Sequence, residues 1–286
     1  MKALFLIISF IPKNIFCYLI DVYLAIGIYK HTKAYKITKI NLEICFPSYS
    51  KNEILLLSKL SLREMFVSGY ETIFCWARND YVRNSEILVV KNNFLLQSYI
   101  KNNKSLIAMT FHNRSVDMLL LWLNSQTSTT SLYKKIKFKP LDSFVKKVRE
   151  ENNCKSFETS ISGVRQLIKS LNDNKVVCFA ADQVPKRGMG EYINFFNKEA
   201  YSTTLIQKLS KKTSSDILAC YVSSSKNNEL KINIERFFDN VKDSEYLHSV
   251  NYFIEDIVSK KPIDYSWEYK KFKKSKPGIL SPYKDI

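Results

Sequence analysis

From about residue 86 onward the chain alternates short β-rich runs with amphipathic stretches, and no other feature narrows its fold as much. The β-rich runs lie at 87–90, 106–110, 130–133, 176–180, 217–221 and 230–234, and helical spacing fills 116–124, 141–150, 162–172 and 202–212. Runs of four or five residues rich in Val, Ile, Thr and aromatics suit strands. Strands separated by helical stretches require a sheet with helices packed on both faces, an α/β architecture.

Ahead of this alternation, 37–78 carries helical periodicity, with Pro47 as a joint and Ser50 followed three residues later by Glu53, the pattern of a capping box. Residues 243–273 also read as helical and end in the basic run Lys270 to Lys274. With 286 residues, 45% of them apolar, the chain can fill one large core. The simplest organisation is one domain over 31–286 with an appendage at 1–30.

That appendage is apolar. Residues 3–29 hold only two charges, Lys13 and Asp21, but Pro12-Lys13-Asn14 interrupts the run, so no uncharged stretch reaches the length of a simple spanning helix. Lys13 also falls where a signal-peptide cleavage site would have to be. Three readings remain: a kinked anchor with Lys13 snorkelling, a helix pair lying in the plane of the membrane surface, or a buried core helix.

The charge balance, 44 Lys and Arg against 27 Asp and Glu for a net +17, points to an anionic partner. Six widely spaced Cys without a CxxC pair read as reduced core residues of a cytosolic compartment. Three dispersed His do not make a zinc site. No GxxxxGK[ST] or GxSxG occurs, and Gly188-Met189-Gly190 lacks the third glycine of a dinucleotide loop.

Chemistry is expected where strands end and helices begin. The run 106–110 empties into Phe111-His112-Asn113-Arg114-Ser115-Val116-Asp117, an HxxxxD pattern. On a single helix that spacing would turn the two side chains about 140° apart, so His112 must lie in the loop. From there its ring can meet Asp117 in the first helical turn, which would fix the tautomer for general-base work on a hydroxyl of the substrate. The run 176–180 likewise ends in Asp182-Gln183 before Pro185, facing the same sheet edge. Lys134 to Lys139 and Lys146-Lys147-x-Arg149 supply cations suited to phosphate. A different class of function remains open: Trp267, Tyr269 and Phe272 interleave with the terminal lysines, as in proteins that stack nucleic-acid bases.

In this order the pieces resemble the bacterial lipid A late acyltransferases, the lauroyl/myristoyl transferase family of the glycerolipid acyltransferase superfamily. The likeness includes Asn41-Leu42 through Cys45-Phe46-Pro47, His112 to Asp117, Tyr133-Lys134, Arg149, Gly163, Ala181-Asp182-Gln183, Phe195-Phe196 with Ala200 and Ser202, Trp267 and Pro277-Gly278. It implies a central mixed sheet flanked by helices behind a membrane-associating helical segment. His112 would be the base and Asp117 its partner, with Arg149, Tyr133, Lys134, Asp182 and Gln183 at the substrates. The donor would be acyl carrier protein, or CoA, and the acceptor a phosphorylated glycolipid on the cytoplasmic face of the inner membrane, with no cofactor or metal and no nucleic acid. Val184, Asn197 and Ser160 depart from the usual family residues at their positions. These departures leave the reaction class intact and the acceptor open: a lipid A precursor, a lysophospholipid or an amino-acid lipid.

Overall fold

A computed structural model describes residues 2–237, 246–276, 278–284 and 286. Pro277 and the start of the stretch read as helical at 243 lie outside the described residues. The amino-terminal half is helical: α1 (Lys2–Ser9), α2 (Lys13–Ile26), α3 (Lys33–Cys45), the long α4 (Lys51–Ala77) and α5 (Asp80–Ser85). The expected capping box closes the start of α4, with Ser50 and Glu53 satisfying each other's backbone N–H groups.

The alternating region follows as β1 (Ile87–Lys91), α6 (Asn93–Lys101), β2 (Leu106–Thr110), α7 (Val116–Gln126), β3 (Thr129–Tyr133), α8 (Lys139–Arg149), β4 (Lys155–Glu158), α9 (Ile161–Asn172) and β5 (Val176–Ala180). A hairpin of β6 (Gly190–Phe195) and β7 (Lys198–Thr203) leads to α10 (Leu205–Thr213), β8 (Asp216–Ser224), β9 (Leu230–Arg236) and α11 (Tyr246–Lys260). Among the described residues seven strands form one sheet in the order β1-β9-β8-β2-β5-β3-β4. All neighbours are parallel except β8 and β9, so the sheet is mixed.

Period-2 alternation divides the core. Ile107 and Met109 of β2 pack with Leu167, Ile206 and Ile254 on one face, while Leu106 and Ala108 pack with Leu119, Leu123 and Phe74 on the other. Helices therefore cover both faces. Two differences from the sequence reading have local causes. The stretch 202–212 opens as the end of β7, because Phe196 and Asn197 both take positive φ and turn the chain into a hairpin. Beyond a short 3-10 turn at Pro262–Asp264, residues 265–273 are irregular rather than helical. There the backbone is laid against the loop after β2, with Ser266 N–H donating to His112 O at 2.9 Å and Arg114 N–H to Asp264 O at 2.8 Å.

The amino-terminal helices dock on α4. Their axes bend by 91° at the break near Pro12, and among the described residues no single helix is long and apolar enough to cross a membrane. Phe5 packs near Trp76 and Phe16 stacks on Tyr70, with ring centroids 5.9 and 4.8 Å apart. Lys13 does not snorkel outward: its ammonium pairs with the buried Glu71 carboxylate at 2.8 Å and donates to Asn228 O. Asp21, the other charge, pairs with Arg63. The inner faces are thus packed, while Ile7, Ile15, Tyr18, Leu19 and Ile26 stay more than half exposed.

Candidate active site

β2 and β5 are neighbours, but the chain leaving β2 turns to α7 on one face and the chain leaving β5 runs to the hairpin and α10 on the other. Such a divergence opens a crevice beyond the carboxyl ends of the strands. A cavity of about 590 Å³ occupies it, lined among others by His112, Asp117, Arg149, Gln183, Ser266 and Glu268.

The parallel register pairs Thr110 with Ala180. Two residues further on, His112 and Asp182 leave the sheet side by side. The Asp182 carboxylate accepts from the His112 backbone N–H at 3.0 Å and from the ring Nδ1 at 2.8 Å. The partner of the imidazole is therefore Asp182, which corrects the pairing with Asp117 expected from the HxxxxD spacing. Asp117 sits in the first turn of α7 and faces α8 instead. There Arg149 holds it in a bidentate fork, Nε to Oδ1 at 2.6 Å and Nη2 to Oδ2 at 2.8 Å.

The reason is local geometry. Arg114 takes a left-handed backbone (φ 58°) and Ser115 caps α7 by accepting from Met118 N–H, so the chain reverses between His112 and Asp117. The turn is held from behind. The buried Arg114 guanidinium pairs with Glu64 and Glu71 of α4 and lies 3.8 Å from Asp264. Asn113 donates to Val222 O at 2.7 Å.

Burial disfavours the charged imidazole, but attraction and hydrogen bonding from Asp182, with smaller contributions from Glu268 and Asp117, outweigh it and raise the His112 pKa. Burial likewise opposes ionisation of Asp182, yet His112 and the Lys271 ammonium hold that carboxyl at about 2. Asp182 is therefore an anion that can only accept, so in the neutral ring Nδ1 carries the proton and Nε2 keeps the lone pair. Gln183 Nε2 lies 3.1 Å from Nε2, positioned to donate to it. The His112 side chain is 32% exposed, enough to present Nε2 to the cleft.

The other residues singled out in the sequence fall around this pair. Tyr133 lines the cleft, its ring 5.8 Å from the Arg149 guanidinium carbon, and Lys134 lies exposed on the rim. Sequence reasoning missed Ser266 and Glu268, which reach the cleft because 265–268 is not helical. It also missed Lys271, which is buried, donates to Asp182 O at 2.8 Å and is pulled by that burial to about 8. No signal short of the fold marked these. Trp267 and Phe272 are 2% and 3% exposed, so neither offers a stacking face to bases, while Tyr269 is half-buried and accepts from the Val184 backbone N–H.

Residues 1–274 match the family model of the bacterial lipid A biosynthesis acyltransferases. The chain belongs to this family. It is an acyltransferase. Among its relatives, a lipid A biosynthesis myristoyltransferase of Escherichia coli (strain K12) is 21% identical over 253 residues, 86% of this chain and 77% of that protein. Lipid A biosynthesis acyltransferase 1 of Shigella flexneri is 21% identical over 254 residues, with the same coverage. In this acyltransferase His112, Asp117 and Arg149 line one cleft on a mixed sheet.

Proposed function

We propose that this acyltransferase moves a fatty acyl chain from a thioester carrier, acyl carrier protein or CoA, to a hydroxyl of a lipid A precursor at the cytoplasmic face of the inner membrane. The observation that carries the reading is the imidazole held at Nδ1 by a buried carboxylate, with Nε2 turned to an open cleft. Among the described residues no Ser or Cys is hydrogen-bonded to that ring, which suits a base acting on a substrate hydroxyl.

His112 Nε2 takes the hydroxyl proton as the acceptor oxygen attacks the thioester carbonyl, and Asp182 stabilises the imidazolium. The tetrahedral intermediate collapses, the carbon–sulfur bond breaks, and the proton passes from His112 to the departing thiolate. The fork to Asp117 uses two of the five N–H groups of Arg149, leaving others for the oxyanion or an acceptor phosphate. Lys134 adds positive charge at the rim, and the +17 balance favours both an acidic carrier and a phosphorylated acceptor.

The outer face of α1 and α2, part of the segment 1–30, would lie in the headgroup region and bring the acyltransferase domain, 31–286, to its lipid substrates. The test is acyl transfer from an acyl carrier protein thioester to a lipid A precursor in detergent, followed by mass spectrometry. His112→Ala is expected to abolish product in a protein that still folds cooperatively, its melting temperature lowered only by the loss of the Asp182 contact. Turnover by that variant, or product only with a lysophospholipid or amino-acid lipid acceptor, would refute the mechanism or the acceptor respectively.

A further inference from the structure

Both charges inside the apolar amino-terminal stretch, Lys13 and Asp21, lead by side-chain contacts to the turn between His112 and Asp117. The break between α1 and α2 is clamped to α4 at three places: Arg78 Nη2 donates to Ser9 O at 3.0 Å, Tyr70 Oη to Ile11 O at 2.6 Å, and Lys13 Nζ to Glu71 Oε1 at 2.8 Å. The same Oε1 accepts from Arg114 Nη2. Asp21 of α2 is gripped by Arg63, Nε to Oδ1 at 2.5 Å and Nη2 to Oδ2 at 3.0 Å. Arg63 Nη1 also donates to Glu64 Oε1 at 2.7 Å, and the other oxygen of Glu64 accepts from Arg114 Nη1. Two relays thus converge on one guanidinium.

The charge balance makes these relays necessary. Among the described residues three buried carboxylates, Glu64, Glu71 and Asp264, face one buried cation, Arg114. One cation does not compensate three anions taken out of water. Each acid finds its second cation nearer the surface: Glu71 in Lys13, Glu64 in Arg63, and Asp264 in Lys261 at 3.4 Å. Glu71 depends most on its partner, since its Oε2 is buried without a hydrogen bond. What Arg114 supports is the left-handed reversal that separates His112 from Asp117, its own N–H donating to Asp264 O. A guanidinium that shifts therefore carries the imidazole with it.

We propose that Lys13, and one contact further out Asp21, are positioning residues of the acyltransferase: by completing the charge of Glu71 and Glu64 they hold Arg114, and with it the turn that presents His112 to the cleft. This rests on His112 as the base. The helix pair α1 and α2 is then part of the catalytic framework as well as the face turned to lipid, and 1–30 is not energetically separable from 31–286.

The experiment measures acyl transfer by the full chain in detergent with donor and acceptor varied separately, for wild type, Lys13→Met, Lys13→Arg, Asp21→Asn, Glu71→Gln and the double variant Lys13→Met with Glu71→Gln. Lys13→Met is expected to lose about ten- to a hundredfold in kcat, the scale of a catalytic group displaced from afar, with both KM values and vesicle flotation unchanged. Lys13→Arg should recover most of the loss. Asp21→Asn should lose less, because Arg63 stays on Glu64; its side chain is half exposed, so this variant folds even where Lys13→Met does not. The double variant should lose less than the product of the two single losses, since both act through one carboxylate. A second readout does not need turnover: the chain has three histidines, and in ¹⁵N-histidine spectra the His112 signal should move in Lys13→Met and return in Lys13→Arg. Unchanged kcat in Lys13→Met and Asp21→Asn, a loss confined to KM or flotation, or a still His112 signal overturns the proposal and leaves the proposed activity standing. A fall in kcat in Lys13→Met beside turnover by His112→Ala supports the coupling and removes the base. Where wild type shows no transfer, movement of the His112 signal supports the proposal and its stillness overturns it.

Discussion

Replacing Asp182 with asparagine separates the two carboxylates of the cleft, because only one of them touches the imidazole. Asp182 is 3% exposed and is held at about 2 against its ordinary 3.8. At 1.36 kcal/mol per pKa unit this amounts to about 2 kcal/mol of native-state stability, present above the ordinary carboxylate pKa and lost as pH falls through about 2. The His112 pKa is raised, so its share of the same interaction is complete below the ordinary 6.5 and is lost as pH rises through the raised value. The two signs define a window: the stability gap between wild type and Asp182→Asn should be widest from about pH 4 to 6.5 and narrow above the raised His112 pKa. Urea unfolding at pH 5 and pH 9 measures it. Activity should respond in parallel. Without the anion, burial lowers the imidazole pKa and nothing fixes its tautomer, so kcat should fall about 10²- to 10⁴-fold, and the acid limb of the pH profile should move to lower pH. Asp117→Asn should lower kcat with little movement of that limb, since Asp117 is the smallest of the influences raising His112. Equal stability gaps at both pH values, or an acid limb that shifts with Asp117 and not with Asp182, would refute the assignment of the partner.

Arg149→Lys retains the charge but cannot reproduce the two-point fork to Asp117, so kcat should fall at least about tenfold with the melting temperature little changed; steady-state kinetics and calorimetry decide this. Gly163→Ala should destabilise by about 1–3 kcal/mol in urea unfolding, because its Cβ would meet Glu158 O at 2.2 Å and Leu132 Cδ2 at 3.0 Å against the start of α9. The paired changes Ile7→Asp and Leu19→Asp, on side chains 66% and 53% exposed, should abolish flotation with anionic vesicles and leave unfolding midpoints nearly unchanged; vesicle binding that persists would argue against the helix pair as the membrane face.

Much of the fold was legible because its signals are local. Buried parallel strands read as apolar runs, as 106–110 and 176–180 do, and the capping of α4 needs only Ser50 and Glu53. The hairpin of β6 and β7 was not legible, because its turn places a phenylalanine at positive φ, where turn chemistry gives no cue. Strand β4 is four residues long and mostly polar, too short for a period.

The candidate site divides along the same line. The sequence alone determined that His112 and Asp182 each stand at the end of a buried strand, since strand length and loop entry are properties of neighbouring residues. It could not determine that the two ends meet. That depends on β2 lying beside β5 in a register that sets Thr110 against Ala180, and on a left-handed turn at Arg114 that sends Asp117 toward Arg149. Strand order and register are fixed by how both faces of the sheet bury their apolar side chains, a balance taken over the whole chain. For the same reason the buried Glu64, Glu71 and Asp264 around Arg114, and Lys271 behind Asp182, came into view only in the tertiary structure, where burial made each charge depend on a distant partner.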